Sequence, residues 1–304
     1  MDKFHLQILG SGSALPTKFC NQPSQVLSLR EKSFMIDCGE GTQRQMRISN
    51  VRISRLNNVF VSHLHGDHCF GLIGLISTLG MFNRTADLYI HAHSDAENIL
   101  APLIARFCED LPYRVVFVPI NPLKHELIYE DRSLEVYSIP LKHKMLTCGF
   151  LFSEKTKDRH IIREKVDFYK VPVREMQNIK KGLDFVTENG DVIPNACLTT
   201  APTTPKRYAY CSDTVYTESI IPYIEGVDCL FHEATFLHAD LTRAKATMHT
   251  TALQAATIAK KANVKRLIIG HYSARYEDLS PFLTEAQSVF DNTSLAMDGL
   301  AFEI

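Results

Sequence analysis

Val59-Phe60-Val61-Ser62-His63-Leu64-His65-Gly66-Asp67-His68 places three imidazoles and one carboxylate directly behind an apolar, β-branched run. The run reads as a buried strand whose carboxyl end empties into a metal loop. His63 and His65, two apart in an extended segment, point the same way and can chelate one ion. Gly66 permits a turn that aims Asp67 and His68 elsewhere, so these two can serve a second ion. A polar surface loop that happens to be rich in histidine is the plain alternative, and the order and spacing of the ligands weigh against it.

The remaining composition is that of a chain with a full core. Of 304 residues, 45% are hydrophobic and 22% charged, enough for one large α/β domain or two small ones. No apolar run has transmembrane length. Met1-Asp2-Lys3-Phe4-His5 lacks the basic and apolar regions of a signal peptide, so the expectation is a cytoplasmic protein without a membrane partner. The 8 cysteines form no Cys-x-x-Cys pair and suit reduced, buried thiols. Cys69 follows His68 and reads as a packing residue. A net charge of −1 excludes a uniformly basic surface and leaves room for a local one.

In chain order, Phe4–Leu9 alternates as a strand and runs into Gly10-Ser11-Gly12-Ser13-Ala14, which lacks full G-x-G-x-x-G spacing and reads as a tight turn. Val26–Leu29 and Phe34–Cys38 are the next strands. In Asp37-Cys38-Gly39-Glu40-Gly41-Thr42-Gln43-Arg44-Gln45 the two glycines can bring backbone close to the metal loop. Thr42 can open a helix carrying Arg44 and Arg47, and with Arg52 and Arg55 nearby this end has guanidinium groups suited to phosphate, or simply a solvated helix face. A helix over 70–82, a strand at 88–90, a helix over 95–109 and a strand at 114–118 follow. His91 and His93 lack an Asp-His continuation and read as structural. Leu134–Ile139 is a strand leading to His143, a third ligand for the first ion.

From Glu154 to Gly182 nine lysines and arginines face five carboxylates, with Phe168, Tyr169 and Pro172 interleaved and little core-forming periodicity. We read an inserted flexible arm, bounded at 154–195, in which Lys165, Lys170, Arg174, Lys180 and Lys181 can grip a phosphate backbone; a merely solvated loop has the same composition. Beyond it, Arg207–Cys211 delivers Asp213, Asp228–Phe231 feeds His232-Glu233-Ala234-Thr235, and Met248-His249-Thr250-Thr251 precedes a helix capped by one of its threonines. Val264–Gly270 ends at His271, and a helix over 281–290 and a short strand close the chain. The alternation predicts an α/β sandwich of two related halves, one catalytic domain over 1–304, with the site at their shared edge.

Assembled, one ion takes His63, His65, His143 and Asp213, and the other takes Asp67, His68, His271 and the same Asp213, whose two oxygens can bridge. Imidazole and carboxylate without thiolate suit two zinc ions, or manganese or another divalent transition metal. Such a pair activates water and offsets charge on a phosphoryl oxygen. Asp67 can also take the proton of the water, while His249, oriented by Glu233, is placed as acid or phosphate contact.

The His-x-His-x-Asp-His run resembles the metallo-β-lactamase superfamily. Ser11-Gly12-Ser13-Ala14-x-Pro16-Thr17, Asp37–Gln45, Ser62–His68, His232-Glu233-Ala234-Thr235 and Met248-His249-Thr250-Thr251 together resemble tRNase Z (ribonuclease Z) in its short form. The resemblance runs from residue 4 to the C-terminus. It implies an αββα sandwich and an endoribonuclease that removes the 3′ trailer of precursor tRNA. It also implies a 3′-hydroxyl left on the tRNA, a 5′-phosphate on the trailer, and a homodimer whose arm holds the tRNA cut by the partner subunit. The same residues carry the ligand and acid–base roles in that family. Ser62 stands where threonine is usual, Ser212 where glycine is common, and Val171-Pro172 where Gly-Pro is frequent. Two rivals share parts of the pattern. A hydrolase of a small thioester, lactam, sulfate ester or cyclic phosphodiester needs the same ions but no basic arm; a non-catalytic RNA-binding scaffold needs no complete ligand set.

Overall fold

The computed structural model describes residues 4–304, so the reading of Met1, Asp2 and Lys3 lies outside the described residues. The chain divides into two compact units, one of Met1–Tyr129, Val136–Phe152 and Lys206–Ile304, the other of Glu130–Glu135 and Ser153–Pro205.

In the first unit, strands β1 (Phe4–Gly10), β2 (Ser24–Leu29), β3 (Lys32–Ile36), β4 (Leu56–Phe60), β5 (Leu88–His93) and β6 (Val115–Ile120) form one sheet. Strands β7 (Leu127–Glu130), β8 (Leu134–Pro140) and β9 (Cys148–Glu154) belong to another. The second unit carries two short ladders, β10 (His160–Ile161) with β13 (Thr199–Thr200) and β11 (Phe185–Val186) with β12 (Val192–Ile193). Strands β14 (Arg207–Cys211), β15 (Cys229–Glu233), β16 (Leu267–Gly270) and β17 (Thr293–Leu295) complete the second sheet in the order β17-β16-β15-β14-β9-β8-β7. A last strand, β18 (Ala301–Glu303), returns to pair with β1. The sheets are mixed: β1 to β3 are antiparallel neighbours, whereas β3 to β6 and β14 to β17 run parallel.

Side-chain alternation builds the layers. Phe60 points inward and meets Phe150 and Phe152 of β9 at centroid distances of 5.5 and 5.4 Å. Val59 and Val61 point the other way, into a cluster with Leu72, Leu75, Ile76 and Leu100 of the helices Gly71–Met81 and Asp95–Phe107. Ala255, Ala259, Phe282 and Ala286, from the helices Ala252–Lys261 and Ser280–Gln287, cover the outer face of the second sheet. Helix, sheet, sheet, helix is the expected αββα sandwich. Thr251 caps Ala252–Lys261 through a capping box with Gln254,.

Two local readings change. Strands β7 and β9 have no counterpart in the sequence reading. In β9, Gly149 breaks the strand pattern, yet a Cβ there would lie 2.3 Å from the Tyr210 carbonyl oxygen, so close strand packing requires the glycine,. The strand expected at Phe34–Cys38 stops at Ile36, because Asp37 turns into the left-handed region at φ 55°. In the second unit, Val166, Val171, Ile179, Phe185 and Leu198 gather into a small apolar cluster. Its longer stretch runs to Pro205, with Thr199 and Thr200 paired to Ile161 and His160.

Phe60 is fully buried between the sheets, so Phe60→Ala is expected to cost about 3–5 kcal/mol in urea unfolding; a cost below about 1 kcal/mol would show that the aromatic layer does not hold the sheets together.

Candidate metal centre

Five strand ends converge. His63 follows β4, His143 follows β8, Asp213 follows β14, Glu233 ends β15 and His271 follows β16. Parallel strands point their carboxyl ends to one edge, which is where side chains can meet across a sheet. Asp67 and His68 lie in a single turn of helix, Gly66–Cys69, pressed against the backbone of Gly39. A Cβ on Gly39 would sit 2.5 Å from the Asp67 carbonyl oxygen, so the close approach expected of that glycine is real,.

The ligand atoms of His63, His65, His143 and Asp213 lie within 4.8 Å of one another, and so do those of Asp67, His68 and His271. Asp213 joins the two sets: Oδ2 is 3.7 Å from His63 Nε2 and 3.8 Å from His143 Nε2, while Oδ1 is 3.4 Å from His68 Nε2 and 3.2 Å from His271 Nε2. All seven residues assigned to metal from the sequence are therefore brought together.

The outer hydrogen bonds decide which nitrogen faces inward. His68 Nδ1 donates to Asp37 Oδ2 at 2.8 Å and His143 Nδ1 to the Met248 carbonyl at 2.9 Å. The Ser62 hydroxyl donates to Asp37, so it accepts from His63 Nδ1 at 3.0 Å. The Thr235 hydroxyl donates to Glu233, so it accepts from His271 Nδ1 at 2.9 Å. Each of these rings is left with a bare Nε2 toward the centre, the arrangement that ligation demands. His68 Nε2 and His271 Nε2 are buried and have no hydrogen-bond partner. His65 turns its Nδ1 to within 2.9 Å of His63 Nε2, an approach that a shared cation or proton relieves. The donor set fits divalent transition metals.

Charge supports the same reading. Burial holds His63, His65 and His143 below the ordinary histidine range, in the neutral form that binds metal,. Burial also works against charge on His68, but Asp213, Asp37 and Asp67 around it outweigh burial and draw positive charge in. Burial opposes ionisation of Asp67 as well, and the neighbouring His68 and His271 nonetheless keep it a carboxylate.

Glu233 is fully buried and accepts from the Thr214, Thr235 and Thr250 amides, the Thr235 hydroxyl and His249 Nδ1, the last at 3.0 Å. Burial alone would lower His249, but the Glu233 carboxylate pushes it up to about 9. His249 is thus an imidazolium at neutral pH beside the ligand cluster, with its ring 5.0 Å from that of His143 and 5.4 Å from that of His271.

Two residues without an assigned role from sequence emerge. Asp37 accepts from the Ser62 amide and hydroxyl, His68 Nδ1 and the Tyr210 hydroxyl, the last at 2.6 Å. Thr235 links His271 to Glu233. The placement of Asp37 in a motif was a signal; nothing local announced Tyr210, 173 residues away. Of the residues assigned to RNA, Arg44 and Arg47 are exposed on the helix Thr42–Ile48, with Arg47 over the Phe82 ring. In the second unit Lys165, Lys170, Arg174 and Lys181 are exposed and Lys180 is half-buried; Arg174 lies 3.6 Å from Glu175. Cys69 Sγ donates to the His65 carbonyl and is absent from both donor sets. His91 packs face to face on Phe60.

Tyr210→Phe keeps the ring and removes one donor to a buried carboxylate. It is expected to cost about 1.5–3 kcal/mol in denaturant unfolding, with metal content unchanged by elemental analysis; an unchanged midpoint would remove Asp37 as the tie between sheets.

Residues 4–162 match the model of a family described as Anti-Pycsar protein Apyc1, a stretch that holds His63, His65, Asp67, His68 and His143 but not the second-half ligands. Over 304 residues the chain is 59% identical to ribonuclease Z of Parabacteroides distasonis, covering 100% of both chains. Among solved structures, human tRNase Z, short form (ELAC1), superposes with a TM-score of 0.70 at 23% identity, covering 99% of each chain. The metallo-β-lactamase fold protein YhfI of Bacillus subtilis gives 0.69 at 18% identity over 100% of each. These last two establish the fold. With a full-length relative this similar, and with the N-terminal half matched by the Apyc1 family as well, the chain belongs to the ribonuclease Z family and is built on the metallo-β-lactamase fold.

Proposed function

We propose that this protein is an endoribonuclease that cuts the 3′ trailer from precursor tRNA by two-metal phosphodiester hydrolysis, leaving a 3′-hydroxyl on the tRNA and a 5′-phosphate on the trailer. The observation that carries the substrate is the 59% identity to a ribonuclease Z over the full length of both chains. The hydrolysis is carried by the pair of donor sets sharing Asp213, with bare Nε2 atoms turned inward from four histidines. His63, His65, His143 and Asp213 would hold one zinc ion, and Asp67, His68, His271 and Asp213 the other; manganese or another divalent metal suits the same donors. When bound, the ions supply a water acidified to near-neutral pKa and positive charge opposite the scissile phosphate.

The chain does the rest. Asp67, kept ionised, accepts the proton of the attacking water. His249, held charged by Glu233, pairs with a phosphate oxygen or gives its proton to the leaving 3′-oxygen. Glu233 fixes the His249 ring and, through Thr235, that of His271. Lys165, Lys170, Arg174, Lys180 and Lys181 of the second unit, with Arg44 and Arg47 of the first, would bind tRNA backbone; exposed Phe168 offers a ring to the same partner,. In this reading the second unit is the tRNA-binding arm and the enzyme acts as a homodimer, each arm serving the partner subunit, in the cytoplasm. No helix among the described residues is long and apolar enough to cross a membrane.

The test is cleavage of a precursor tRNA with a 3′ trailer. Metal-loaded protein is expected to make one cut at the base of the acceptor stem. Asp67→Ala should lower kcat at least 100-fold, and deletion of 154–195 should raise KM more than it lowers kcat. His249→Ala should lower kcat with metal content intact. A trailer left whole, while a cyclic phosphodiester is hydrolysed equally well with and without the arm, would assign the site to small substrates instead. A chelator is expected to abolish cleavage, and added zinc or manganese to restore it; full cleavage without metal would end the two-ion account.

A further inference from the structure

The turn Gly10-Ser11-Gly12-Ser13 takes no part in the chemistry above, yet it grips the last ligand. The Ser11 carbonyl accepts from the backbone amides of His271, at 2.8 Å, and Tyr272, at 3.1 Å. The Ser13 amide donates to the Tyr272 carbonyl at 3.0 Å. His271 needs this grip: its φ is 66°, a left-handed conformation that disfavours a side chain, and surrounding bonds must hold it,.

Ser11 is in turn held from the far end of the chain. Asp298 Oδ1 accepts from the Ser11 amide at 2.9 Å and its hydroxyl at 2.7 Å. Oδ2 accepts from the amide and the side-chain Nδ2 of Asn21, both at 2.7 Å. The Asn21 carbonyl returns a bond to the Gly12 amide at 3.0 Å. Both oxygens of one half-buried carboxylate are thus occupied by two donors each, all four short and charge-assisted,. None of these four donors is a cation, so what the carboxylate supplies is the placement of the turn.

We propose that Asp298 is a positioning residue for the metal centre: acting through Ser11, it sets the strained backbone of His271 and so the place of His271 Nε2. The inference rests on the two-ion reading above. It predicts an asymmetric defect, because His271 belongs to the donor set of Asp67 and His68 and not to that of His63, His65 and His143. A residue that only stabilised the fold would weaken both ions alike.

The experiment is calorimetric titration of zinc into metal-free full-length protein, comparing wild type with Asp298→Ala, Asp298→Asn and Ser11→Ala. Wild type should bind two ions per chain. Asp298→Ala should keep one ion at unchanged affinity and weaken the other about 10–100-fold, the range seen when a group behind a metal ligand is lost. Asp298→Asn, with one acceptor oxygen left, and Ser11→Ala, with a single donor lost, should weaken the same ion less. If Asp298→Ala does not fold, these two milder variants decide the matter by the same asymmetry. Two ions bound as in wild type by every variant, or both ions weakened equally, would overturn the role of Asp298 while leaving the two-ion centre standing. A wild type that binds fewer than two ions would overturn the centre itself, and this inference with it.

Discussion

One buried carboxylate couples the two sheets to the chemistry. Asp37 leaves the end of β3, receives Tyr210 from β14 of the opposite sheet, and holds the two elements that begin the metal loop, Ser62 and His68. An unpaired charge at full burial would cost several kcal/mol, so these donors are obligatory partners. Once they are satisfied, the separation of the sheets, the exit of β4 and the tautomer of His68 are no longer independent. The left-handed backbone at Asp37 lets a single residue end a strand and turn its side chain back between the sheets.

The same economy recurs around the centre. Non-glycine residues with left-handed backbone occur at Asp37, Met248 and His271, each either a ligand or hydrogen-bonded to one. Such conformations persist only where neighbouring bonds over-determine them. Each here has those bonds: the donors on Asp37, His143 against the Met248 carbonyl, and the Ser11 carbonyl against His271. Hydrogen bonds within the chain thus help fix where the ligands sit. That is also why several buried nitrogens lack partners in an otherwise well-paired interior: His68 and His271 pair on one edge and leave the other bare.

Much of the centre was legible because its information is local. His63 to His68 sit in one loop, and His143, Asp213 and His271 each come shortly after a segment that reads as a strand, alternating before His143 and continuously apolar before His271, so position along the chain nominates them. The partners behind the ligands were not legible for the opposite reason. Tyr210 and Asp37 are 173 residues apart, and Asp298 and Ser11 are 287 apart, with nothing in either neighbourhood to pair them. Strand β9 was hidden by Gly149, which packing demands and propensity disfavours. The apolar cluster of Val166, Val171, Ile179, Phe185 and Leu198 escaped notice because helices of four to six residues, Arg163–Phe168, Met176–Lys180 and Asn195–Leu198, are too short to show a helical period,.

Seven side chains are assigned to two ions about a shared Asp213. The most direct measurement is an anomalous difference map from crystals grown with zinc, collected above and below its absorption edge. Two peaks are expected, one contacting His63, His65, His143 and Asp213, the other contacting Asp67, His68, His271 and Asp213. A single peak, or zinc bound away from these residues, would contradict it.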